Sequence, residues 1–111
     1  MSDRLKKVNE LLQFEVSKIL KSEVETGTDV LITVVRAEAS LTLEHATIMI
    51  SVFPSEKEKE TLEKIQKEIY SIQQALNKRL VMRTVPKLRF EIDKTEEQAS
   101  RIEEIIDRIK E

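Results

Sequence analysis

Hydrophobic and polar residues follow one another with two different periods, and these periods predict the secondary structure. Apolar side chains recur at steps of three and four in residues 3–22 and again in residues 55–80, which places them on one face of an α-helix. Ser55 and Glu58 have the spacing of a capping box, so we expect the second helix to begin at Ser55. The apolar face of that long helix consists of Leu62, Ile65, Ile69, Ile72, Leu76 and Leu80.

Three shorter stretches have the patterns of β-strands. Residues 30–37 are mostly apolar and β-branched, while apolar and polar residues alternate in residues 45–53 and 87–93. We expect the first two strands to pair antiparallel, because a single hairpin connection joins them. Pro86 cannot continue a helix, so the long helix must end before it and the third strand follows it.

A final short helix is predicted near the C-terminal end, where Thr95 and Gln98 again have capping-box spacing. Its apolar face consists of Ala99, Ile102, Ile105, Ile106 and Ile109. The predicted order is therefore α-β-β-α-β-α, an α+β fold in which a three-stranded sheet packs on helices. With 111 residues and no internal repeat or Gly/Ser linker, we expect a single domain over residues 1–111.

Composition argues against an enzyme and against a membrane protein. The chain has no cysteine, and its one histidine, His45, has neither a second histidine nor a cysteine to form a metal or catalytic site. A chain with one glycine cannot build a glycine-rich nucleotide loop. We therefore expect no cofactor, no metal and no small-molecule substrate. Residues 1–10 lack the apolar run of a signal peptide and no stretch has transmembrane length, so a cytoplasmic protein is expected.

Charge is distributed unevenly along a chain whose formal net charge is −2. Basic residues are concentrated where the long helix meets the third strand, and a smaller basic set lies near the N-terminus. The two sets are Lys78, Arg79, Arg83, Lys87 and Arg89, and Arg4, Lys6 and Lys7. Such residues can follow a nucleic-acid backbone, but they can equally solubilise the surface and interact favourably with a helix C-terminus. Charge alone leaves both interpretations open.

The chain resembles the ribosome-binding factor A family in three stretches. The first is the opening helix with its early basic residues, and the second is the strand–turn–strand segment with Ser40, Leu43, Ala46 and Ile48. The third and most specific is LVMRTVPKLRFEID, residues 80–93. There the residues that match a family signature are Arg83, Val85, Pro86, Leu88, Phe90 and Asp93.

This resemblance implies a KH-like fold of the second type, in which a kink in a helix replaces the glycine loop of other KH domains. Alignment puts the kink near Glu68, Ile69 and Tyr70, where this chain has no glycine. The resemblance also implies a protein that binds free 30S subunits and 16S ribosomal RNA during late maturation and rRNA processing. We expect a monomer whose affinity comes chiefly from phosphate contacts of the set around the start of the third strand, with the N-terminal set as a second, weaker one. The alternative is a protein–protein adaptor that uses an acidic helical surface and binds no RNA.

Overall fold

The computed structural model describes residues 3–95, and the helix expected over residues 99–109 lies outside them. Its helices are α1 (Asp3–Glu23), α2 (Glu58–Lys67) and α3 (Ile69–Arg79). Its strands are β1 (Leu31–Ala39), β2 (His45–Phe53) and β3 (Lys87–Ile92). Within the described residues, the order of helices and strands predicted from the sequence is confirmed, except that the long helix is divided.

The sheet has the strand order β1-β2-β3 and is mixed. β1 pairs antiparallel with β2, from Leu31 opposite Phe53 to Ala39 opposite Ala46, as predicted. β3 runs parallel to β2, and its first residue, Lys87, lies opposite His45. The turn between β1 and β2 therefore lies at the same end of the sheet as the start of β3.

The helices cover one face of the sheet and form the core with it. Alternate residues of β2 are buried on that face, and α1 contributes the apolar stripe that the sequence predicted. Fully or almost fully buried side chains include Leu12, Val16, Ile19, Ile48, Ile50, Ile65, Ile72, Leu76 and Phe90. On the other face of β2, His45 and Phe53 are exposed.

The prediction of one long helix over residues 55–80 is wrong in two details. First, residues Ser55–Lys57 form a short 3-10 turn, and no side chain caps either this turn or α2, so the capping box is not formed. Second, the helix is interrupted at Glu68, whose backbone has φ −98° and ψ 10°. This backbone region is open to ordinary residues, so a kink here requires no glycine. The kink expected from the resemblance is confirmed.

Side-chain amides from the helices bind both edges of the sheet. Gln73 of α3 donates through Nε2 to the carbonyl oxygen of Pro86 (3.0 Å) and accepts through Oε1 from the N–H of Leu88 (2.9 Å). On the far edge, the side-chain oxygen of Asn9 accepts from the N–H of Ala39 (2.8 Å). These bonds satisfy backbone groups that the strand ladder leaves unpaired, and they fix the start of β3 relative to α3.

Candidate nucleic-acid interface

The start of α1, the β1–β2 turn and the start of β3 lie together at one end of the molecule. Arg4 and Leu5 of α1 line a small cleft with residues 41–43 of the turn. The backbone N–H of Lys87 donates to the carbonyl oxygen of Glu44 at 2.9 Å. We call this region, with the neighbouring C-terminus of α3 and residues 80–86, the basic end.

The C-terminus of α3 points towards the basic end because α3 runs antiparallel to α1. Arg79, the last residue of α3, forms a 3.1 Å ion pair with Glu15 in the middle of α1. Tyr70, near the start of α3, lines a groove together with Glu23, the last residue of α1. Residues 80–86 then connect α3 to β3 and place Arg83 in a loop at the basic end. The fold thus brings the two basic sets, distant in sequence, to the same region.

All eight predicted phosphate-binding residues have exposed side chains, but they are not equivalent. Arg79 is paired with Glu15, and Arg89 on the solvent face of β3 is paired with Glu91 at 3.2 Å. Among residues 3–95, no ion pair is formed by the other six, which are Arg4, Lys6, Lys7, Lys78, Arg83 and Lys87. These six cations carry charge that no acidic partner in the described structure neutralises.

Acidic residues dominate the opposite end of the sheet, where α1 ends, β1 begins and β2 and β3 end. Glu23, Glu25, Asp29 and Glu56 lie in or next to these segments. The three strands and α1 extend between the two ends, although Glu23 also lines a groove with Lys78 and Arg79. A chain with a small net negative charge can therefore present a basic surface to a polyanion.

Sequence reasoning missed a groove that continues from the basic end along α3. Tyr70, Gln74 and Lys78 are spaced at four-residue steps, and all three side chains are exposed along this groove. An exposed tyrosine offers a flat surface for an unpaired base and a hydroxyl for hydrogen bonding. In the sequence, the groove was indicated only by the position of Tyr70, which lies outside the apolar stripe and beside the kink at Glu68.

The β1–β2 turn gives the basic end a rigid feature. Leu43 has φ 62°, the left-handed region, which costs a residue with a side chain about 1–2 kcal/mol. Hydrogen bonds hold the turn in this shape: the N–H of Leu43 donates to the carbonyl oxygen of Ser40 (2.9 Å), and the N–H of Ser40 donates to the carbonyl oxygen of His45 (2.8 Å). Leu41 at the tip is 89% exposed, so an apolar side chain projects beside the basic residues.

The described part of the chain offers neither a metal centre nor a membrane span. Within residues 3–95, no group of His, Asp and Glu side chains is arranged to hold a metal ion. None of the helices in the same range is long and apolar enough to cross a membrane.

Comparison with known proteins gives consistent matches in sequence and in fold. Residues 4–106 match the family model described as ribosome-binding factor A. The ribosome-binding factor A of Halothermothrix orenii is 34% identical over 109 residues, covering 97% of this chain and 89% of the relative. That of Chlorobium phaeobacteroides is 35% identical over 113 residues, covering 99% of this chain and 97% of the relative.

A crystal structure and a fitted homology model share the fold at low sequence identity. The crystal structure of ribosome-binding factor A from Thermus thermophilus superposes with a TM-score of 0.69 at 18% identity, covering 79% of this chain and 93% of that one. A homology model of the Thermus thermophilus factor, fitted into the cryo-EM map of a complex with the 30S subunit, gives a TM-score of 0.65 at 20% identity. It covers 78% of this chain and 91% of that one.

Proposed function

We propose, since the chain belongs to the ribosome-binding factor A family, that it binds the free or immature 30S subunit through 16S ribosomal RNA. Bound there as a monomer in the cytoplasm, it assists late maturation and rRNA processing without catalysing a reaction itself. The proposal is supported by the charge arrangement of the basic end and by the 30S complex of the Thermus thermophilus factor.

The observation that carries the proposal is the convergence of six unpaired cations from separate parts of the sequence. Lysine and arginine side chains that release counterions from phosphates supply much of the affinity of proteins for nucleic acids. Lys87, Arg83 and Lys78 lie on three consecutive segments, which are β3, the loop before it and α3. Arg79 and Arg89 contribute less, because Glu15 and Glu91 already neutralise them.

The test is the affinity of charge-reversal variants for purified free 30S subunits, measured by co-sedimentation at low salt. Arg83→Glu with Lys87→Glu should weaken binding by about tenfold to a hundredfold, because two phosphate contacts become repulsive, and Lys87→Glu alone should weaken it by about threefold to tenfold. These positions are preferable to Arg79, where a glutamate would face Glu15 and also disturb the packing of α1 against α3.

A matched control comes from the other end of the sheet. Lys59 is exposed in the first turn of α2, the helix that follows the end of β2, and Lys59→Glu makes the same change of charge as Lys87→Glu. We expect Lys59→Glu to leave the affinity within about twofold of the unmodified chain. If Lys59→Glu and Lys87→Glu lowered the affinity equally, the loss would be explained by net charge alone, which would contradict an interface at the basic end. Unchanged binding in both would favour the protein–protein adaptor.

A further inference from the structure

The solvent-facing side of α1 carries a stripe that the proposed interface leaves mostly unused. Lys7, Leu11, Phe14, Lys18 and Lys21 are spaced by four, three, four and three residues, so they lie on one face of the helix. This stripe lies opposite the buried face of α1, which consists of Leu12, Val16, Ile19 and Leu20. Lys7 at its start belongs to the basic end.

Phe14 at the centre of the stripe is exposed to an unusual degree for its type. Its side chain is 58% exposed, and Leu11 beside it is 41% exposed. The ammonium of Lys18 lies over the Phe14 ring, 4.0 Å from its centroid. A cation–π contact at such an exposed site is weak, so Lys18 can give up the ring face without a large loss of stability.

We infer that this stripe is a second contact for single-stranded RNA, in which Phe14 stacks on an unpaired base and Lys7, Lys18 and Lys21 bind the flanking phosphates. The inference rests on the proposed function and extends it to a side of the molecule away from the β3 surface. An aromatic ring set between cations is the combination used for single-stranded nucleic acid. Two acidic residues border the stripe: Glu10, and Asp3 one turn before Lys7.

A second exposed phenylalanine shows what distinguishes Phe14. Phe53 is 71% exposed, but it lies at the opposite end of the sheet, across from the apolar Leu31. In the described structure, the cation over an aromatic ring is found at Phe14 and not at Phe53. Exposure alone therefore does not define the site, and Phe53 supplies a matched control for substitutions at Phe14.

The experiment measures the affinity of four chains for purified free 30S subunits: the unmodified chain, Phe14→Leu, Phe14→Trp and Phe53→Leu. Leucine keeps apolar bulk but removes the aromatic face, so Phe14→Leu should bind about fivefold to tenfold more weakly, the low range for loss of one stacked base. Phe14→Trp restores an aromatic face and should recover most of the affinity that Phe14→Leu loses, whereas Phe53→Leu should bind like the unmodified chain. Thermal unfolding by circular dichroism verifies that each variant is folded.

A photo-crosslinking residue at position 14 identifies the partner in the same complexes. Crosslinks to 16S rRNA, together with a selective loss in Phe14→Leu, support the inference. Full affinity of Phe14→Leu overturns it, and so do crosslinks to a ribosomal protein, which would instead indicate an apolar protein contact. Failure of the unmodified chain to bind 30S subunits would overturn the proposed function itself, so the two failures are distinguishable.

Discussion

The same strands form both ends of the sheet, but the cations at the two ends differ in their ion pairing. At the opposite end, two of the cations are committed to internal partners: Arg36 binds Asp93 at 3.1 Å, and Lys94 binds Glu58 at 3.0 Å. At the basic end, Arg83 and Lys87 have no acidic partner among the described residues. Internal pairing therefore determines which individual cations are available to an anionic partner.

The largest loss of stability is expected when the start of β3, which carries Lys87 at the basic end, loses its hydrogen bonds to α3. In Gln73→Ala, the N–H of Leu88 and the carbonyl oxygen of Pro86 lose their partners. An unsatisfied backbone group of this kind costs about 1–3 kcal/mol, and the free energy of unfolding in urea should fall by that amount. Gln74→Ala, an exposed neighbour on the same helix, should change it by less than about 0.5 kcal/mol. Equal effects would show that the amide does not anchor β3.

A smaller effect is expected at the opposite end, where Asp93 is held by several donors. The side-chain hydroxyl and backbone N–H of Thr95 donate to its carboxylate, and the Arg36 guanidinium lies beside it. Together they lower the pKa of Asp93 below its ordinary value. Asp93→Asn should therefore reduce the free energy of unfolding by about 1 kcal/mol at neutral pH.

The pH dependence of that difference gives a check on its cause. A lowered folded-state pKa means that the ionised carboxylate stabilises the protein above its unfolded-state pKa of about 3.9, and that this contribution is lost as the pH falls through the folded-state value. The gap between the unmodified chain and Asp93→Asn should be full at about pH 6 and shrink below about pH 4. A gap that stays constant with pH would exclude the ionised carboxylate as its source.

The smallest loss of stability is expected from a substitution that frees a paired arginine. Glu15→Gln removes the partner of Arg79 and should cost about 0.5 kcal/mol of stability, since the arginine is half exposed. Affinity for 30S subunits should rise about twofold to threefold, because Arg79 becomes available to a phosphate. A matched change at the opposite end, Glu58→Gln, removes the ion pair with Lys94 and should leave the affinity unchanged. A gain in both variants would mean that reduced negative charge alone enhances binding.

Much of the fold follows from hydrophobic periodicity, but the kink does not. The apolar stripe continues at helical spacing through Ile65, Ile69 and Ile72, so the pattern predicts one uninterrupted helix. Glu68 breaks the helix while keeping that register, and it adopts a backbone conformation that ordinary residues tolerate. Such a break leaves no mark in composition, and the resemblance to a family indicated it where the pattern could not.

The candidate site was predictable as a set of residues but not as a surface. The basic sets are visible in the sequence, yet their meeting depends on β3 running parallel to β2 and on α3 running antiparallel to α1. Strand order and helix direction are tertiary features that periodicity does not specify. The neutralisation of Arg79 by Glu15, across 64 positions of sequence, is invisible for the same reason.

If the unpaired cations of the basic end bind ribosomal RNA phosphates, binding to free 30S subunits must depend on salt, and this dependence is the most direct test. The logarithm of the association constant should fall steeply and linearly with the logarithm of salt concentration. In Arg83→Glu with Lys87→Glu, the slope should decrease in magnitude by about two, one for each lost phosphate contact. Binding that is insensitive to salt, or a slope that the double substitution leaves unchanged, would contradict phosphate binding at the basic end.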